Sequence, residues 1–189
     1  MADAIAALDL TDDEYTVVQS LVRNKYRAYD AAGNTVLRGK QKMFKLKEEF
    51  PFVDADGNPA FTVKASGVLD FAGDYALVDD ATGETVVVLD RNFTLFTDRW
   101  TLRDPDTGDP VAEIASKSKL VSLLRHVHGL FSLIPHGYEI TTPDGRHVGI
   151  IDGRFSLKDT YDVTIDDASG VSKEAVVAAA MVVDAIEGN

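Results

Sequence analysis

A short Asp-led turn ending in Gly recurs along the chain at a nearly constant interval, and no other feature constrains the fold as much. It reads Asp30-Ala-Ala-Gly33, Asp54-Ala-Asp-Gly57, Asp80-Ala-Thr-Gly83, Asp104-Pro-Asp-Thr-Gly108, Pro143-Asp-Gly145 and Asp167-Ala-Ser-Gly170. The steps between successive glycines are 24, 26, 25, 37 and 25 residues. Turns of this kind need a residue at positive φ, which Gly adopts without steric cost. Asp suits their start because its short side chain accepts hydrogen bonds from the backbone N–H groups that follow.

The flanks of the turns alternate as half-buried strands do. Tyr26-Arg-Ala-Tyr29, Phe50-Pro-Phe-Val53, Tyr75-Ala-Leu-Val78, Trp100-Thr-Leu102, Tyr138-Glu-Ile140 and Tyr161-Asp-Val-Thr-Ile165 lead into the turns. Thr35-Val-Leu37, Ala60-Phe-Thr-Val63, Thr85-Val-Val-Val-Leu89, Val111-Ala-Glu-Ile114 and His147-Val-Gly-Ile-Ile151 lead out. An aromatic ring opens every incoming segment, as expected where large β-favouring side chains share one core face. A second phrase, Phe44-Lys-Leu46, Phe93-Thr-Leu95, Phe131-Ser-Leu133 and Phe155-Ser-Leu157, precedes several of these rings. Six hairpins at this spacing give about twelve strands, the rhythm of an all-β barrel or sandwich.

Two stretches break the pattern. The long step of 37 carries Leu120, Leu123, Leu124 and Val127 at helical spacing. This predicts a short inserted amphipathic helix near 119–128, ended at Gly129. At the N-terminus we expect a short helix near residues 2–8 and a strand from about 14. That divides the chain into an N-terminal extension over 1–13 and a barrel domain over 14–189.

The C-terminal stretch limits the architecture further. From Ala175 to Val183 every residue is apolar, and four of the nine are Ala. Ser172 can cap a helix here, and Glu174 suits the positive end of its dipole, so a helix over 172–187 is predicted. A helix apolar all round must be buried on every side or lie in a membrane. At about 1.5 Å per residue this run is far shorter than a bilayer core. A barrel of about twelve strands is too wide for its own side chains to fill. The thin apolar helix therefore has a natural place inside it. The expected fold is mainly β: a twelve-stranded antiparallel barrel of hairpin repeats enclosing a central hydrophobic C-terminal α-helix.

Composition excludes several functions. The 31 acidic and 19 basic residues give a net charge of −12, which opposes general nucleic-acid binding. There is no Cys, so disulfides, thiolate metal sites and thiol catalysis are absent. No Gly-x-Ser-x-Gly, P-loop or dinucleotide fingerprint is present, so no enzyme is indicated and no cofactor is expected. His126 and His128 do not share a helix face, and His136 and His147 lie elsewhere, so no metal site is expected. No secretory leader or bilayer-spanning run appears, which makes a cytoplasmic protein, peripheral at the membrane, the expectation. Asp outnumbers Glu by 23 to 8, and such an acidic surface suits a salt-rich setting.

Taken in order, the hairpin repeat, Lys40-Gln-Lys-Met-Phe-Lys-Leu46, Asp98-Arg-Trp-Thr-Leu-Arg-Asp104, Asp159-Thr-Tyr-Asp-Val163 and the terminal Ala/Val helix resemble the LURP-one-related family. That family belongs to the tubby C-terminal-like superfamily, together with the phospholipid scramblases. The resemblance spans roughly residues 15–187 and implies a twelve-stranded barrel around a hydrophobic C-terminal helix. It also implies a non-enzymatic binding module. Tubby domains bind phosphoinositide head groups and scramblases move lipids with calcium. Neither the tubby head-group cations nor a scramblase-type calcium segment can be matched here, since Asp166 and Asp167 lack the spaced oxygen ligands calcium needs.

One cluster stands out in this acidic chain. Arg38, Lys40, Lys42, Lys45 and Lys47 fall within ten residues, and on a strand Arg38, Lys40 and Lys42 share a face. They are the candidate contacts to phospholipid head groups or to a protein partner, against the plainer reading of a solvated face. The alternatives are a carrier of a hydrophobic ligand and an enzyme with an uncharacterised surface site.

Overall fold

The computed structural model describes residues 5–20, 25–40, 49–65, 74–94, 97–117, 137–154 and 160–187. Its strands are β1 (Glu14–Ser20), β2 (Lys25–Tyr29), β3 (Thr35–Lys40), β4 (Phe50–Asp54), β5 (Pro59–Ala65) and β6 (Tyr75–Asp79). They continue as β7 (Thr85–Thr94), β8 (Thr97–Arg103), β9 (Pro110–Ser116), β10 (Gly137–Thr141), β11 (His147–Arg154) and β12 (Thr160–Ile165). A helix, α1 (Lys173–Glu187), follows. Each strand pairs antiparallel with its neighbours in sequence, and β1 pairs with β12 to close the barrel.

The turns form as their sequences dictate. Gly33, Gly57, Gly83, Gly108 and Gly145 all take positive φ, between 73° and 96°. Beside each of these five hairpins the register shifts by one residue. The unpaired residues are Val36, Ala60, Val86, Val111 and Val148, each three positions beyond its Gly, so every outgoing strand carries a bulge of its own near its start. At Asp54 the carboxylate accepts backbone N–H bonds from Asp56, Gly57 and Asn58 at 2.7–2.9 Å. The sixth turn differs from expectation. Gly170 is not among the positive-φ glycines, and residues 166–172 lead into α1 rather than into a hairpin. The twelfth strand is instead β1.

Alternation sorts the barrel wall. Tyr26, Phe50, Phe52, Trp100 and Tyr138 on the even strands are buried, with Tyr75 and Tyr161 packed at their edge. Phe52 stacks on Phe61 with centroids 4.4 Å apart, which is possible because Gly39 leaves room for the Phe52 ring. The helix is the centre of this core. From Ala175 to Val183 no residue is more than 4% exposed, so its all-apolar circumference is matched by protein on every side.

The barrel has two unlike ends. The five tight turns, the approach to β1 and the lead-in to α1 lie at one end, and the even strands begin at the other. Residues 5–13 run across the turn end. Ile5 and Leu10 are buried there, Ala6 N donates to Asp79 Oδ2, and Leu10 N donates to the buried Glu174 carboxylate at 3.0 Å. Lys173 Nζ donates to Thr11 O, Asp12 O and Asp13 Oδ1. The expected helix at 2–8 is reduced, over its described residues, to one turn closed by Leu8 N to Ile5 O. Ala6 and Leu10 are tied to the barrel through their own backbone N–H groups, which holds the described segment against the turn end instead. The inserted helix near 119–128 and the phrases at Phe44, Phe131 and Phe155 lie outside the described residues.

Candidate anion-docking surface

The register of the β2–β3 hairpin builds a surface that neither strand shows alone. Lys25 stands opposite Lys40, and Arg27 stands opposite Arg38. On β2 the alternating Tyr26 and Ala28 are buried, so Lys25 and Arg27 belong to the outer face, and Arg27 is exposed. On β3 Leu37 and Gly39 are buried, which puts Arg38 on the same outer face, and Lys40 holds the next alternate position of the strand. The result is a two-by-two grid of cationic positions. Facing residues on such a ladder lie about 5 Å apart, and alternate residues along a strand about 7 Å apart.

The grid lacks the compensation found elsewhere. Lys64, Arg99, Arg103, Lys117, Arg146, Arg154 and Lys173 each have a carboxylate partner. Arg91 lies over the Trp100 ring, 5.6 Å from its centroid. Among the described residues, Lys25, Arg27 and Arg38 are not ion-paired with any carboxylate. Arg38 donates through Nη2 to Asp54 O at 3.3 Å and to Ala55 O, both backbone groups that leave its charge uncompensated. The neighbours across the ladders are neutral: Val18 and Ser20 on β1, and Val53 on β4. Like charges placed directly opposite each other disfavour the pairing by a few tenths of a kcal/mol to about 1 kcal/mol.

Of the cations expected from sequence, the structure brings Arg38 and Lys40 together at alternate positions of β3, while Lys42, Lys45 and Lys47 lie outside the described residues. Lys25 and Arg27 are additions. Their signal was present in Lys25-Tyr-Arg-Ala-Tyr29, where two cations alternate with the inward residues. Only the β2–β3 pairing shows that they join Arg38 and Lys40.

Other polar groups serve the turns. Hydrogen bonds from Asn34 and Asn58 hold the carboxyls of Asp30 and Asp54 below the usual range. Those of Asp104 and Asp167 are lowered by backbone N–H groups of Thr107 and Ser169, and that of Asp144 by Thr142 and Arg146. His147 sits between Glu139 at 3.3 Å and Asp166 at 3.0 Å. His126, His128 and His136 lie outside the described residues. Among the described residues no group of three His, Asp or Glu could hold a metal ion, and no helix is long and apolar enough to cross a membrane.

Comparison with known proteins agrees with this architecture. No curated protein matches the chain. A protein of Arabidopsis thaliana solved by X-ray crystallography matches with a TM-score of 0.59 at 12% identity, over 97% of this chain and 99% of that one. At that identity the likeness is one of fold. A family model, LURP-one-related, matches residues 35–184. Its span takes in β3 through most of α1, so the barrel wall and its central helix fall within one family pattern, and the chain belongs to the LURP-one-related family.

Proposed function

We propose that residues 14–189 act as a non-enzymatic binding module that docks on the head groups of anionic phospholipids through the outer face of β2–β3. The observation that carries this reading is the grid of Lys25, Arg27, Arg38 and Lys40 positions, with like charges facing each other in a chain of net charge −12. An anionic surface relieves that repulsion and is attracted by it. Each basic residue near such a membrane contributes about 1 kcal/mol, so four contribute roughly 4 kcal/mol. The family membership supports a binding role in general terms.

The test is co-sedimentation with vesicles of phosphatidylcholine, with and without phosphatidylserine, at low and high salt. Binding is expected only with the anionic lipid, and it should weaken as salt screens the surface. Replacing Lys25, Arg27, Arg38 and Lys40 with Gln should reduce vesicle affinity close to a thousandfold, the equivalent of the roughly 4 kcal/mol above. Undiminished binding by that variant would eliminate the site. Failure of the wild type to bind anionic vesicles at low salt, with retention by an acidic protein partner, would redirect the surface to protein recognition.

A further inference from the structure

The segment that precedes β1 is attached to the barrel differently from the strands. Among the described residues, 5–12 join no ladder, and pairing begins where Ile165 N donates to Asp13 O and Glu14 stands opposite Thr164. The bonds that hold the segment run through side chains. Asp79 and Glu174, the two buried carboxylates among the described residues, accept the N–H groups of Ala6 at 2.6 Å and Leu10 at 3.0 Å. Lys173 reaches the carbonyls of Thr11 and Asp12 and the Asp13 carboxylate, and Asp12 Oδ2 accepts from Ala31 N at 3.0 Å. Ile5 and Leu10 enter the core. A segment held outside the ladders opens at lower free energy than the sheet it covers.

Charge works against this attachment. Residues 5–13 carry Asp9, Asp12 and Asp13 and no basic residue. The rest of the turn end, Glu14 with residues 29–35, 54–59, 79–85, 103–110, 141–147 and 165–174, holds 14 acidic and three basic residues, a net charge of −11. Of those three, Arg103 is paired with Asp90 and Arg146 with Asp144 and Asp167, while Lys173 holds the segment itself. We infer that residues 5–13 form a salt-closed strap, docked over the start of α1 where ions screen the turn end, and lifted as a unit, ahead of the barrel wall, where they do not. Burial of Ile5 and Leu10 favours closure at any ionic strength. Repulsion of the three Asp by the turn end acts only within the Debye length, which falls from about 30 Å at 0.01 M salt to about 3 Å at 1 M. Salt also weakens the Lys173–Asp13 pair, a single attraction set against three charges that face a net −11. Lifting the strap uncovers the places of Ile5 and Leu10 in the core and returns the Asp79 and Glu174 carboxylates to water. Ionic strength thus decides whether this end of the barrel is sealed, and the inference is independent of the docking reading above.

Amide hydrogen exchange of the full chain, read residue by residue by NMR at one pH in about 0.01 M and about 1 M sodium chloride, tests this. About four like-charge pairs near 10 Å in water, felt at low salt and screened at high salt, shift the opening equilibrium by roughly tenfold. Protection of the Ala6 and Leu10 amides should therefore rise about tenfold between the two salts, with a much smaller change at Leu77 and Val87, which pair with each other in the wall. Unchanged or falling protection at Leu10 overturns the strap. An equal rise at Leu77 and Val87 overturns it too, because the whole barrel would then be responding. Asp9→Lys, at an exposed position, takes the net charge of residues 5–13 from −3 to −1. In about 0.01 M salt its Leu10 amide should be protected at least about threefold more than in the wild type, and its rise with salt should shrink by the same factor. A variant that keeps the full rise with salt overturns the proposal.

Discussion

Val177→Ala measures how completely the barrel encloses its helix. Val177 is 0% exposed and lies between Val176 and Ala178, which are equally buried. The substitution removes two methyl groups. At about 0.8 kcal/mol per buried carbon, the transfer loss is roughly 1.6 kcal/mol. The neighbours include closed strands that cannot collapse freely toward the axis, so a cavity on the order of 50 Å³ adds about 1.2 kcal/mol at 24 cal/mol per Å³. The expected loss is about 3 kcal/mol. For a domain of this size each kcal/mol lowers the midpoint by about 2–4 °C, which gives a drop of roughly 6–12 °C. Thermal and urea unfolding followed by circular dichroism should both show it, with an unchanged urea slope. A loss below about 0.5 kcal/mol is what an exposed helical site would give, and would contradict the enclosed helix.

Two further perturbations address the wall and the turn end. At Gly149 an added Cβ would lie 2.1 Å from Thr164 O and 3.1 Å from Ile165 Cα, so Gly149→Ala must push β11 from β12. A loss toward or beyond the upper end of about 1–3 kcal/mol is expected by chemical denaturation, and a loss below about 0.5 kcal/mol would refute the clash. The Tyr15 hydroxyl is pushed up from 10.0 to about 12, chiefly by burial, with the carboxylates of Asp12, Glu174 and Asp13 adding to it. Because the folded value is raised, its stabilising effect is complete below pH 10.0 and is lost as pH rises through about 12. Tyr15→Phe should flatten that part of the stability profile, and an equal alkaline loss in the variant would remove Tyr15 as its cause.

The barrel was legible because its information is local and repeated. A Gly at positive φ, an Asp before it and an aromatic ring on the incoming strand recur together, and all three survive in the structure as turn, hydrogen bond and core ring. The central helix was legible from the lack of any polar face. What sequence hid was set by long-range pairing. The 167–170 turn has the same chemistry as the others, yet β1 already occupies the place beside β12, so the chain has no thirteenth strand to form and turns inward. The cationic grid was half visible for the same reason. Arg38 and Lys40 are neighbours in sequence, whereas Lys25 and Arg27 join them only through the hairpin register.

Closure between β1 and β12 sets an order on assembly. α1 follows every strand in the chain, yet it ends up within the wall they make, so the sheet cannot seal before the helix is in place. The seam joins residues such as Val17 and Tyr161, separated by most of the molecule, and contacts of that span form slowly because a long loop must first be ordered. A ribosome-bound chain lacking its last two dozen residues would hold an open, oily-faced sheet, and sealing would follow only on the emergence of α1.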